Sequence, residues 1–173
     1  MSIRKPRETV NLAELYEQDP MPWDRASQAL GTGSLKPEIP CFLGTVRPDG
    51  RPHSAGVGVA EHDGRIYFTS GPKTRKSRNL AANPACTLSL RLDGIDLVLE
   101  GDAERVEDPP TLEQLASAFR DGGWPAVVEG DAITAPYSAQ SAGPPPWHLY
   151  RLNVHTAFGV GLRKPHGASR WRF

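Results

Sequence analysis

Alternation of apolar and polar positions dominates the middle of the chain. Cys86, Leu88, Leu90 and Leu92 alternate with Thr87, Ser89 and Arg91, the period-two signature of a strand with one buried face. Asp93-Gly94 then turns the chain into residues 95–106 (IDLVLEGDAERV). Glycine supplies the positive φ of a tight turn, so the two runs predict an antiparallel hairpin. Upstream, residues 41–46 (CFLGTV), 52–60 (PHSAGVGVA) and 66–70 (IYFTS) are separated by Asp49-Gly50 and Asp63-Gly64, which predicts three more antiparallel strands. Downstream, residues 147–154 (WHLYRLNV) and 156–162 (TAFGVGL) predict two further strands by their alternation and aromatic content, and the chain ends in ASRWRF.

Helical spacing interrupts this pattern. Residues 74–83 (TRKSRNLAAN) predict a short helix that stops at Asn83-Pro84, because proline disfavours the α conformation of the residue before it. Residues 109–123 place Leu112, Leu115, Ala116 and Phe119 on one face and close on glycine, predicting an amphipathic helix that plugs or covers a barrel end. Residues 23–30 (WDRASQAL) could form a short helix within an N-terminal arm or cap, residues 1–37. Residues 123–146 hold two glycine-proline-rich patches without periodicity and read as a lid, a binding loop or a mobile linker. Six or seven hairpin-linked strands with two helices fit a mainly-β antiparallel barrel over residues 38–173 rather than a βαβ sheet, since closure hides strand edges.

Composition narrows the partners. Lysine plus arginine and aspartate plus glutamate are both 20, so no whole-molecule field draws the chain to nucleic acid or to a membrane surface. No apolar run approaches the ~20 residues of a membrane span and the N-terminus lacks a secretory apolar core, which predicts a cytoplasmic protein. Cys41 and Cys86 sit in strand patterns and read as core thiols, not as a disulfide or a zinc site. Asp96, Glu100, Asp102 and Glu104 recur at period two, the pattern of an exposed polar strand face, and no metal is assigned. His148 and His155 read as surface or packed residues.

The segment 69–79 (TSGPKTRKSRN) is the most informative for chemistry. A strand ends at Ser70 and, after Gly71-Pro72, enters a helix loaded with cations. Arg75, Lys76 and Asn79 fall on one arc of roughly 100° on a helix, and Thr74 can cap it. Arginine forks, an ammonium, an amide and the positive helix end then converge on a phosphate, with the Thr69 and Ser70 hydroxyls beside it. The same run also reads as a solvated basic helix face.

Four segments together carry a resemblance: FLGTVRPDGRPHSAGV, IYFTSGPKTRKSRNLAANPACTLSL, VLEGDAERVEDP and the terminal RWRF. Over residues 38–106 and 147–173 the chain resembles the pyridoxamine-phosphate-oxidase-like split-barrel family, most closely its branch of deazaflavin (coenzyme F-420) dependent enzymes. The resemblance implies a split barrel whose cofactor phosphate is held by Arg75 and Lys76 with Asn79 close by. It implies a ring lying against the second strand around Pro52, His53, Ser54 and Ala55, where small side chains let a flat ring approach the main chain. It further implies a homodimer in which the partner's C-terminal part, with Trp171 and Arg172 as candidates, completes the pocket. The expected function is hydride transfer from coenzyme F-420 to a small unsaturated or aromatic substrate. FMN is the alternative cofactor, and a non-enzymatic carrier of flavin, deazaflavin or haem the alternative role.

Overall fold

A computed structural model describes residues 4–31, 33–36, 39–139 and 142–173. In chain order its elements are β1 (Glu8–Asn11), α1 (Trp23–Leu30), β2 (Gly33–Ser34), β3 (Cys41–Val46), β4 (Pro52–Gly56), β5 (Val59–His62) and β6 (Arg65–Ser70). After these come α2 (Arg75–Ala82), β7 (Ala85–Leu92), β8 (Ile95–Val106), α3 (Pro109–Asp121), β9 (Val127–Glu129), β10 (Ala132–Thr134), β11 (His148–Gly161) and β12 (Ala168–Arg172). The main sheet runs β2-β5-β6-β11-β8-β7-β3-β4, with β12 added to β11 and β1 to β12. All of its pairings are antiparallel.

Curvature follows from connectivity. β4 is the last strand at one end of the sheet and β5 lies next to the last at the other, yet only Val57 and Gly58 join them. Two residues span less than about 10 Å, so the sheet must bend round until its ends meet. The 52–60 run, expected as one strand, is therefore two strands on opposite sides of a seam.

The barrel is split at β11. One edge of β11 pairs with β8 along its length, while the other pairs with β6 through Leu152 and with β12 from Thr156 onward. A bulge between Val154 and Thr156 marks the change of partner; an extra residue bends the strand there. The two strands expected over 147–162 are thus one long strand whose bulge shifts the alternation.

Inward side chains of both sheet halves, among them Leu43, Phe68, Leu88, Leu97 and Leu152, form the main core, and α1 adds Trp23, Ala26 and Leu30 to it. The Trp23 ring meets Trp171 and Phe173 edge-on at 5.1 and 4.9 Å, the favoured aromatic geometry. Residues 8–30 are therefore built into the barrel through β1 and α1. Leu112, Leu115, Ala116 and Phe119 of α3 pack on Ala60, Tyr67 and Leu149, forming a second apolar layer on the outer wall. That placement corrects the expected plug of a barrel end. The 123–146 segment, expected without structure, contains the β9–β10 hairpin, which is tied to Trp147 through a bridge at Ile133.

Tight turns behave as their sequences require. At the β5–β6 turn Asp63 and Gly64 take φ of 50° and 73°, the double positive φ of a type I′ hairpin. The buried Glu61 carboxylate holds it by accepting from the Gly64 N–H at 2.6 Å. Asp96, Asp102 and Glu104 face outward to Arg91, His155 and Arg151.

Candidate functional site

Strand β6 ends on Ser70, which is fully buried because it shares the inward parity of Ile66 and Phe68. Gly71 follows under the Ala142 carbonyl, so closely that a Cβ there would collide with it. Thr74 caps α2: its hydroxyl accepts from the Ser77 N–H at 3.3 Å and donates to the Gly71 carbonyl at 2.8 Å. Ser77 Oγ donates to Ser70 Oγ at 2.7 Å, and Ser70 Oγ lies 2.9 Å from Thr74 Oγ1. With one hydrogen per hydroxyl, the chain of bonds runs from Ser77 to Ser70 to Thr74 to the Gly71 carbonyl. Ser70, expected to meet an anion, instead locks the end of the strand to the start of the helix.

Helix α2 packs on β3 and β4. Its buried face carries Lys76, Ser77, Asn79 and Leu80, while Arg75 and Arg78 are exposed. Asn79 Nδ2 donates to Thr45 Oγ1 at 2.9 Å, and Thr45 Oγ1 lies 3.5 Å from His53 Nδ1. Lys76 is only 2% exposed, and burial holds its ammonium below the ordinary lysine range. His53 is held below its ordinary value of 6.5 by burial and then by the positive charges of Arg47, Arg75 and Lys76. Burial and the fields of three cations therefore act together on one half-buried imidazole, two of those cations lying in the first turn of a capped helix. Such an arrangement is adverse to a proton and favourable to an anion.

The neighbouring β4 is an edge strand. Ser54 is exposed and Ala55 and Gly56 half-buried, and a Cβ added at Gly56 or Gly58 would meet nothing. Packing does not demand those glycines; they leave free space over a strand edge with unpaired backbone groups. A groove of about 450 Å³ lined by Thr45, Pro52, Glu100, Asp102 and His155 opens beside it, and one of about 380 Å³ lies at Gly56 to Val59. A further cavity of about 590 Å³ lies elsewhere, at the split of the barrel.

Of the residues singled out in the sequence, His53, Arg75, Lys76 and Asn79 come together, with Pro52, Ser54 and Ala55 on the adjoining edge and half-buried Thr69 one residue before the end of β6. Trp171 and Arg172 do not join that hydrogen-bonded cluster. Trp171 is 0% exposed in the core, and exposed Arg172 pairs with Glu8 at 3.3 Å. Sequence reading missed Thr45, Arg47 and Ser77. Thr45 was legible in principle, as the polar residue on the inward parity of Cys41 and Leu43.

Comparison with known proteins agrees with this architecture. Residues 34–161 match the family described as "Pyridoxamine 5'-phosphate oxidase", and the chain belongs to it. No curated protein matches the chain. Among solved structures, a pyridoxamine 5'-phosphate oxidase-related, FMN binding protein from Nostoc punctiforme is 16% identical, covering 86% of this chain and 88% of that one with a TM-score of 0.57. PhzG from Burkholderia lata, in complex with tetrahydrophenazine-1-carboxylic acid, is 17% identical over 87% and 83% with a TM-score of 0.56. A chain described as an F-420 reductase is 25% identical over 69% and 88%, with a TM-score of 0.47. Among the described residues no helix is long and apolar enough to cross a membrane.

Proposed function

We propose that the chain is a cofactor-dependent oxidoreductase that seats the phosphate of coenzyme F-420 at the start of α2 and lays the deazaflavin ring along the β4 edge. The observation that carries this reading is the link from Asn79 of α2 through Thr45 to His53 of β4, an imidazole on which the charges of Arg47, Arg75 and Lys76 act, beside an open strand edge. When bound, the deazaflavin supplies the hydride chemistry, here directed to a small unsaturated or aromatic substrate. The chain's own residues bind and orient. Arg75 can grip phosphate through its planar fork, Lys76 contributes a buried charge, and the Thr45–Asn79 bond fixes the helix against the strand. Small side chains at Ser54, Ala55 and Gly56 admit a flat ring to the main chain.

A homodimer fits the outer sheet face. Phe42, Val98 and Phe158 share one cross-strand row, and Phe42 is 50% exposed, an apolar surface suited to burial against a second copy. Arg172 lies outward on the adjoining row with Thr156 and Glu100. Its outward position, unlike that of buried Trp171, supports it as the C-terminal side chain offered to a partner's cofactor.

The test is equilibrium binding of coenzyme F-420 and FMN in parallel, by fluorescence. Tight F-420 binding with weak FMN binding is the expected result, and the reverse makes the chain an FMN enzyme. Absence of both overturns the reading. The Arg75→Ala/Lys76→Ala variant should lose a few kcal/mol of cofactor binding, and unchanged affinity in it removes the site assignment.

A further inference from the structure

The 590 Å³ cavity shares no residue with the α2 seat or the β4 edge. It exists because of the split. Between Leu152, where β6 stops pairing, and Thr156, where β12 begins, that edge of β11 carries no strand, and residues 151–155 line the opening. The floor is apolar and aromatic, made by Trp23, Leu30, Ile66, Leu99 and Phe173, all buried. The volume falls in the range of small-molecule sites, about 300–1,000 Å³.

Polar groups at the mouth are unevenly charged. Arg4, Arg65 and Arg151 line it against the single carboxylate of Asp63. Arg151 is engaged by Glu104 at 2.7 Å; the charge of Arg65 acts on the same carboxylate, but neither Arg65 nor Arg4 makes a contact ion pair among the described residues. Two buried donors at this cavity lack an acceptor, the Trp23 Nε1–H and the Arg151 Nε–H.

We propose that this cavity is a second ligand site, distinct from the cofactor seat, that takes a flat apolar carboxylate of one or two fused rings. The rings lie in the aromatic floor, against the Trp23 indole, and the carboxylate meets Arg65 and Arg4 at the mouth. An apolar floor alone would accept a neutral hydrocarbon; the guanidiniums of Arg4 and Arg65 at its mouth, in no contact ion pair among the described residues, select an anion.

Calorimetric titration of the whole chain with naphthalene-2-carboxylate, and with naphthalene-2-methanol as its uncharged counterpart, tests this. The carboxylate should bind saturably at one per chain, and the alcohol about ten-fold more weakly or worse. Arg65 is exposed, so Arg65→Glu leaves the fold intact, which thermal unfolding checks, and should weaken the carboxylate by about ten-fold or more. The Arg75→Ala/Lys76→Ala variant should bind it as the wild type does. The indole N–H resonance of Trp23, assigned through Trp23→Phe, should move on binding. No saturable binding, equal binding of alcohol and carboxylate, or binding abolished by the Arg75/Lys76 variant but not by Arg65→Glu each overturns the proposal. The last two variants also separate its failure from failure of the cofactor reading.

Discussion

Thr74→Ala removes one hydroxyl, and the geometry sets its cost. Four interactions go: the cap to the Ser77 N–H at 3.3 Å, the contact with Ser77 Oγ at 3.3 Å, the bond to the Gly71 carbonyl at 2.8 Å and the contact with buried Ser70 Oγ at 2.9 Å. Loss of an N-cap costs about 1 kcal/mol. Ser70 Oγ keeps the bond it accepts from Ser77, but leaving its fully buried O–H without the Thr74 acceptor adds about 1–3 kcal/mol. The sum, about 3 kcal/mol, corresponds to a Tm lowered by about 6–12 °C in a chain of this size, at about 2–4 °C per kcal/mol. Differential scanning calorimetry reads it directly, with Thr74→Ser as the control that keeps the oxygen and should stay within about 0.5 kcal/mol of wild type. A Thr74→Ala melting point indistinguishable from wild type would refute the claim that this hydroxyl ties β6 to α2.

Three further outcomes follow from burial and charge. Lys76 has its folded-state pKa lowered by burial, so the unfolded chain binds more protons between the folded value and the ordinary 10.5, and stability rises with pH across that window; the stability difference between Lys76→Met and wild type should shrink as pH climbs toward 10.5, and a pH-independent difference contradicts it. Burial pushes the Cys41 and Cys86 thiols up to about 11 and about 12, so a thiol reagent at about pH 8, well below both values, should label neither in the native protein and both in denaturant; rapid native labelling counts against the packing. Gly71→Ala drives a Cβ into the Ala142 carbonyl and should cost about 1–3 kcal/mol, with protease cleavage near residue 142 appearing in the variant only; an unchanged digestion pattern removes the contact.

Much of the barrel was legible because its turns announce themselves. The Asp-Gly pairs at 49–50, 63–64 and 93–94 each close a hairpin of the structure. The seam was not legible, because Val57-Gly58-Val59 continues the small-and-apolar texture of β4 without any stop signal, and only the pairing partners reveal that the chain has changed position in the sheet. The β11 bulge was hidden for the opposite reason: one extra residue shifts the parity, and the shift looks like two strands. At the site, the cap and cationic helix start were readable from Thr74 and the Arg75-Lys76 pair. Parity along 66–70 could have turned Ser70 inward in advance. Trp171 could not be placed, because an aromatic near a chain end says nothing about which side of the wall it occupies, and here Met21 and Gly159 enclose it.

The two-residue link at Val57-Gly58 has a mechanical meaning. Because β4 leads through β5 and β6 straight into α2, the edge and the cationic helix start belong to one continuous stretch that crosses the seam. A molecule held by both therefore acts as a clasp on the closed ring. Its grip should register as slowed amide exchange in β5 and β6, beyond the residues it touches, because neither strand can swing away without opening the clasp.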